Sequence, residues 1–226
     1  MTSEGSKESF GAARRLLACG IVAGPFYVAV GAFEMLARPG YDIRRHALSL
    51  LSNGEWGWVN IAMFVISGLL TLAGAFGMRR VMRGSRGGTW GPLLIGVYGL
   101  GLISAGIFTA DPALGFPPGT PGDAHSISWH GFMHFVSGAI GFLGLIAACF
   151  VFARTFAAFE HRGWAAYSIA TGLIFFAAFF GIASGSQQSP ATVAFVTIAF
   201  SVAVALAWTW TSIMAARLRL GLKAEH

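Results

Sequence analysis

The sequence predicts an all-α protein, a polytopic membrane bundle of six transmembrane helices, from its composition, its apolar blocks and the placement of its basic residues. Hydrophobic residues make up 55% of the 226 residues and charged residues only 11%, with a mean hydropathy of +0.67. Soluble proteins average about 25% charged residues. A helix needs about 20 mostly apolar residues to cross a bilayer. The chain has six such blocks, near 16–36, 57–78, 90–110, 131–153, 164–184 and 191–215.

The first block predicts a retained helix rather than a cleaved signal peptide. It is longer than the 7–15-residue apolar region typical of signal peptides, and it carries an acidic residue, Glu34. We therefore expect a cytoplasmic tail at 1–15, a single six-helix domain at 16–215 and a basic cytoplasmic tail at 216–226.

The basic residues predict the orientation of the bundle. The net charge is +6 and the isoelectric point about 10.0, values that also occur in nucleic-acid-binding proteins. Here, however, 12 of the 15 basic residues fall on one side of a six-span topology: Lys7, Arg14, Arg15, Arg79, Arg80, Arg83, Arg86, Arg154, Arg162, Arg217, Arg219 and Lys223. Because cytoplasmic loops are enriched in Lys and Arg, we expect a protein of the plasma (inner) membrane with both termini in the cytoplasm, and no nucleic-acid partner.

This topology leaves three loops on the outer side, near 37–56, 111–130 and 184–190. The segment IRRHALSLLS in the first loop spaces its apolar residues as a short amphipathic helix does, either lying at the membrane interface or dipping back into the bundle. A weak repeat pairs HALS and FVISG (46–49, 64–68) with HSIS and FVSG (125–128, 135–138). It suggests that helices 2–3 and 4–5 arose by internal duplication.

Histidines on the outer side suggest a metal site. His130 and His134 lie four residues apart, on one face of the fourth helix, which is a spacing that zinc ligands use. Asp111 at the end of the third helix could add a carboxylate and His46 a third nitrogen, and bound zinc would activate a water. Alternatively, the histidine pair makes only structural hydrogen bonds. His125 is expected to be a solvated loop residue.

Two further residues are candidates for catalysis. Glu34 is ionisable and lies within a predicted span, which by itself suggests function; the alternative is a buried ion pair with Arg44 or Arg45. Ser49 could orient a substrate or stabilise an oxyanion. Arg44, Arg45 and His46 are expected either to pair with Asp42, Asp111 or Glu34, or to capture an anion.

Two families resemble this sequence. RRHALSLLSNG, a helix opening with WVN, GIFTADP and a histidine-bearing fourth helix resemble the six-span bacterial and archaeal family named domain of unknown function 998, over about 15–215. That family's recurrent segments match Arg45, His46, Ser49, Gly106, Ile107, Phe108 and Asp111; the resemblance implies six helices but no activity. A more distant similarity, carried by Ser49, Asp111 and the His130/His134 pair, is to the alkaline ceramidase and adiponectin-receptor-like transmembrane hydrolases, which have seven spans and bind zinc.

These features lead to three functional hypotheses. The first is a zinc-dependent hydrolase of a lipid-like substrate, with His46, Asp111, His130 and His134 as metal ligands and Glu34 or Ser49 assisting. The second is a non-enzymatic protein that binds or transports a lipid or another small molecule. The third is a haem or quinone redox protein. The oligomeric state is left open by the sequence.

Overall fold

A computed structural model describes residues 3–85, 87–122, 126–185 and 189–224. Its elements are α1 (Ser3–Ala37), a short 3₁₀ helix (Leu48–Ser52), α2 (Gly57–Val81), α3 (Trp90–Ile107), α4 (Trp129–Ala158), α5 (Arg162–Gly185) and α6 (Pro190–Ala224). All six α-helices are long and apolar enough to cross a membrane, and no β-strand occurs in the described ranges. The predicted fold class is confirmed: the chain has the helices of a multi-pass membrane protein.

The helices form a closed ring in chain order. Each helix packs against the next, and α6 returns to pack against α1. Glycines set the close contacts: a methyl group added at Gly101 of α3 would lie 2.8 Å from the Cα of Gly141 on α4, and one at Gly24 of α1 would lie 2.5 Å from the Ser212 hydroxyl oxygen on α6. Small residues let helices approach in lipid, where no hydrophobic force drives them together.

The middle of the ring is filled by aromatic side chains. The ring of Trp208 on α6 lies 4.8 Å from that of Tyr27 on α1 and 5.3 Å from that of Tyr98 on α3, measured between centroids. All three side chains are buried. Because they come from three helices, they tie together parts of the ring that are distant in sequence.

A second, smaller core lies where the first two long loops meet. We call residues 38–56 and 108–122 together the loop layer, the end of the bundle that they cover the loop end, and the opposite end the basic end. Leu50, Leu51, Ala110 and Phe116 form this core, with Phe116 fully buried. The loop layer therefore has apolar packing of its own.

Several details differ from the sequence predictions. Only Leu48–Ser52 of the expected amphipathic helix is helical, as a 3₁₀ helix, and Leu50 and Leu51 are buried in the protein, as in the alternative in which the segment dips back from the interface. Helix α3 ends at Ile107, before 110, because Phe108 is extended. Helices α1 and α6 continue through the expected tails, to Ser3 and Ala224. The division into tails and one domain, and the internal duplication, stay predictions.

Candidate functional site at the loop end

His46 joins the two loops of the loop layer. Its Nδ1 accepts a hydrogen bond from the Asp42 amide at 2.9 Å, and its Nε2 donates to the Leu114 carbonyl oxygen at 3.0 Å. The ring is 2% exposed and lies 5.6 Å from the ring of Tyr41 and 5.5 Å from that of Phe116. Both ring nitrogens are thus bound within the protein, in the tautomer with its hydrogen on Nε2.

Asp111 fastens the start of α4. One carboxylate oxygen accepts from the Ser128 amide at 2.8 Å and the other from the Ser128 hydroxyl. The Ser128 hydroxyl oxygen in turn accepts from the Gly131 amide at 3.0 Å. Since the first amides of a helix have no partner within it, Ser128 is the N-cap of α4, and Asp111 holds that cap in place.

His134 caps the C-terminal end of α3. Its Nδ1 donates to the carbonyl oxygens of Ala105, at 3.0 Å, and Phe108, at 2.9 Å. These are carbonyls that the end of a helix leaves free. His130, by contrast, is exposed and sets its ring edge-on to Phe108, with centroids 5.9 Å apart. The two histidines share a helix face but contact different groups.

Glu34 is paired, but not with the residues that the sequence suggested. Its carboxylate accepts from the Asn60 amide nitrogen at 3.0 Å and lies 3.6 Å from the Arg38 guanidinium. Arg38, four residues after Glu34 and directly after the end of α1, is the partner in place of Arg44 or Arg45, because residues four apart along a helical turn lie close together. Arg38 also donates to the carbonyls of Leu51 and Asn53, so it links α1 to the loop layer.

Arg44 pairs with Asp42, one of the expected alternatives. Its Nε and Nη2 bind the two carboxylate oxygens at 2.9–3.2 Å. These hydrogen bonds, together with one from the Arg44 amide, lower the pKa of Asp42 to about 2. Nearby, burial raises the pKa of Tyr41, whose hydroxyl donates to the His46 carbonyl.

Ser49 lies in the 3₁₀ helix, half-buried, and its carbonyl oxygen accepts from the Ser52 hydroxyl. No hydrogen bond within the described ranges joins Ser49 to Glu34. The two residues proposed for catalysis are therefore held by different neighbours, Ser52 in one case and Asn60 in the other.

The proposed metal ligands do not form one group. Across the described part of the chain, no cluster of three or more His, Cys, Asp or Glu side chains could hold a metal ion. His46 and Asp111 bind protein atoms with both of their polar side-chain atoms, and His134 does so with Nδ1. Zinc binding stays a prediction, and no step of a mechanism is derived through it. His125 lies outside the described residues.

Residues that the sequence did not single out organise this end of the molecule. Phe116 fills the second core, Asn60 binds Glu34, and Asn53 donates to the Ala110 carbonyl at 3.0 Å. A lone Asn within an apolar block was a usable signal for Asn60, and the i,i+4 spacing from Glu34 was one for Arg38. Nothing in the sequence pattern marks Phe116.

A groove opens on the outer surface of α1 at this end. Its volume is about 590 Å³, and it is lined by Ala32, Met35, Leu36, Tyr41, Asp42, Ile43 and Arg44. The residues from α1 are apolar, and the charged residues are the paired Asp42 and Arg44. The groove therefore offers an apolar floor and a rim that carries both signs of charge.

Comparison with known families identifies the chain at the level of family. The model of DUF998, described as a protein of unknown function, matches residues 21–217. The chain belongs to the DUF998 family. The segments of this DUF998 protein that carried the resemblance include His46 and Asp111, which bind protein atoms in the loop layer and at the start of α4. Searches of curated proteins and of solved structures find no match, so the similarity to ceramidase-like hydrolases has no support.

Proposed function

We propose that this DUF998 protein binds a membrane phospholipid without catalysis, in the groove beside α1. The observation that carries the proposal is the groove itself, a cleft of about 590 Å³ at the end of a membrane-crossing helix. The alternative of a hydrolase would need reactive groups held together. His46, Asp111 and His134 instead bind main-chain atoms and neighbouring side chains.

The floor of the groove suits an acyl chain. Ala32, Met35 and Leu36 come from consecutive turns of α1, and Leu36 is 90% exposed. A methylene group moved from water to an apolar surface gains about 0.8 kcal/mol. In a bilayer that gain is largely absent, so shape and the head-group contacts must select the lipid.

The rim suits a zwitterionic head group. Arg44 is 70% exposed, and Asp42 binds its Nε and Nη2, which leaves Nη1 for a lipid phosphate. Asp42 stays ionised because the Arg44 contacts lower its pKa to about 2. Its remaining lone pairs can then accept from a head-group ammonium.

The loop layer supports the groove from behind. Met35 and Tyr41 line the groove and also pack against the core formed by Leu50, Leu51 and Phe116. Residues held on two sides lose little freedom when a ligand binds, and such preorganisation favours affinity.

A lipid-retention measurement tests the proposal. Protein purified in mild detergent is analysed by native mass spectrometry after incubation with phosphatidylethanolamine. Ala32→Trp, which fills the floor, should weaken retention about tenfold, a change of about 1.4 kcal/mol. Val22→Trp, at another exposed position of α1, is the matched control. Equal retention by wild type and Ala32→Trp would refute the proposed site.

We also propose that the loop end faces the outside of the plasma membrane. The support is the basic residues, 12 of which belong to the other side of a six-span chain. In a background of Cys19→Ala and Cys149→Ala, Thr120→Cys on intact cells should react with a membrane-impermeant maleimide, and Ser85→Cys should not. The reverse pattern would overturn the orientation.

A further inference from the structure

A second groove lies toward the basic end, between α4 and α5, and we infer that it binds an anionic phospholipid whose phosphate sits against Arg154. Its volume is about 450 Å³, and its lining residues are Phe150, Val151, Ala153, Arg154, Ala157, Ala165 and Ile169. Six of the seven are apolar, and the seventh is a cation. This is the composition that a lipid chain with a negatively charged head group would match.

The groove is formed by small residues on both helices. Ala153 and Ala157 of α4 lie one turn apart, and Ala165 comes from α5. Deeper in the bundle the helices touch: a methyl group at Gly172 would lie 3.0 Å from the Cβ of Cys149. The alanines thus leave an open cleft on the side of that contact nearer the α4–α5 turn.

Arg154 is the charged residue among those that line the groove. It lies four residues before the end of α4 at Ala158, about 6 Å along the helix axis, and its side chain is exposed. Within the described ranges the structure gives its guanidinium no hydrogen-bonding or ionic partner. An arginine near the end of a span extends its guanidinium toward the lipid head groups, and lipid phosphate is an anion found at that depth.

Neighbouring charges do not replace the phosphate. Glu160 and His161 in the α4–α5 turn and Arg162 at the start of α5 are all exposed, so this region has one carboxylate for two arginines when Arg154 is counted. Basic pockets between transmembrane helices are a known way of binding anionic head groups. The apolar lining favours a lipid over a free phosphate ion, which would gain nothing from six apolar side chains.

Retention of defined phospholipids by the protein in detergent tests this inference. The purified protein in detergent is titrated with phosphatidylglycerol or phosphatidylcholine, and retained lipid is measured by native mass spectrometry. Arg154→Gln should weaken phosphatidylglycerol retention about tenfold and leave phosphatidylcholine retention unchanged, while Arg154→Lys should keep part of the preference. Ala157→Phe, which fills the cleft, should weaken retention of phosphatidylglycerol without altering the charge.

Matched control variants test whether lipid binding is specific to this groove rather than to the exposed surface around it. Arg162→Gln removes a nearby exposed charge that does not line the groove, and Ala170→Phe adds a ring at another exposed position of α5. Neither substitution should change the preference for phosphatidylglycerol over phosphatidylcholine. Equal loss in Arg162→Gln and Arg154→Gln, or no loss in Arg154→Gln, would overturn the inference. Ala32→Trp should leave the preference intact, so this site and the groove beside α1 can fail separately.

Discussion

At the loop end of the bundle, His46 and Asn53 bind main-chain atoms of distant segments, whereas at the basic end Ser85 binds within its own turn and Arg217 stacks on rings. His46 reaches Leu114, 68 residues away, and Asn53 reaches Ala110, 57 residues away. At the basic end, the Ser85 hydroxyl donates to Met82, three residues back. Arg217 of α6 lies over the Trp164 ring, 4.5 Å from its centroid.

The contrast shows how an irregular segment can be covered at a membrane boundary. The basic end needs only short turns, since each pair of helices there is joined by a few residues. The two loops that form the loop layer are long, and their buried polar groups must be satisfied. His46, Asp111 and His134 provide part of that hydrogen bonding, which gives these chemically versatile residues a structural role at the loop end.

Removing the centre of the loop layer should have the largest effect. Phe116→Ala should lower the free energy of unfolding by about 3–5 kcal/mol, the usual range for a buried Phe, because Phe116 is fully buried. Denaturant unfolding in micelles measures it. Phe159→Ala at the basic end, where the ring is 58% exposed, is the control and should change little. Similar losses in both variants would erase the contrast between the two ends.

Releasing the start of α4 should have a smaller effect. Asp111→Ala should cost about 1–2 kcal/mol, as loss of a helix cap does, since both carboxylate oxygens bind Ser128. Hydrogen exchange should speed up at the Gly131 amide. Asp111→Asn retains one acceptor oxygen, so its stability and its exchange rate at Gly131 should lie between those of the wild type and of Asp111→Ala. Unchanged exchange in Asp111→Ala would show that the cap is held by other means.

His134→Ala separates a structural histidine from a metal ligand. The ring N–H binds two carbonyls at the end of α3. Its loss should therefore lower the free energy of unfolding by about 1–2 kcal/mol. The cost should be the same with added zinc and with a chelator. His130→Ala, whose ring is exposed, should cost less. About one zinc ion per purified chain, lost in both variants, would instead support the metal site that the sequence suggested.

At the basic end, Arg217→Gln should cost about 1 kcal/mol, which is typical of a cation–π contact. The Arg217 guanidinium lies over two rings, those of Trp164 and Phe156. Unfolding in micelles measures the cost, with Arg83→Gln as an exposed control. A loss as large as that of Phe116→Ala would mean that the basic end is as tightly fastened as the loop layer.

The smallest expected effect is on titration. Because Arg44 holds the pKa of Asp42 near 2, below its ordinary 3.8, the contribution of this pair to stability is present above about pH 3.8 and is lost as the pH falls toward 2. Arg44→Gln should raise the Asp42 pKa, and Arg45→Gln should raise it less. Carboxyl ¹³C NMR follows both titrations. An unchanged pKa in Arg44→Gln would mean that another group holds the charge.

The fold was predictable because a bilayer imposes a length and a polarity on each helix, and both can be read from one segment at a time. The clustering of these polar residues at one end of the bundle was predictable too. The partner of each polar residue was not predictable, because His46 contacts Leu114 only after both loops have folded. The sequence left open for the same reason whether the segment around Leu50 lies at the interface or is buried: Leu50 and Leu51 pack with Phe116, a partner that the local pattern does not reveal.

The closure of the ring has a consequence for biogenesis. Gly24 and Tyr27 of α1 are packed against Trp208 of α6, a helix that leaves the ribosome only after α1–α5. During synthesis that face of α1 must therefore wait in the membrane, or against the insertion machinery, until α6 arrives. A ribosome stalled before residue 190 would release a chain with an open seam, so quality-control proteases should degrade such truncated chains faster than the complete protein.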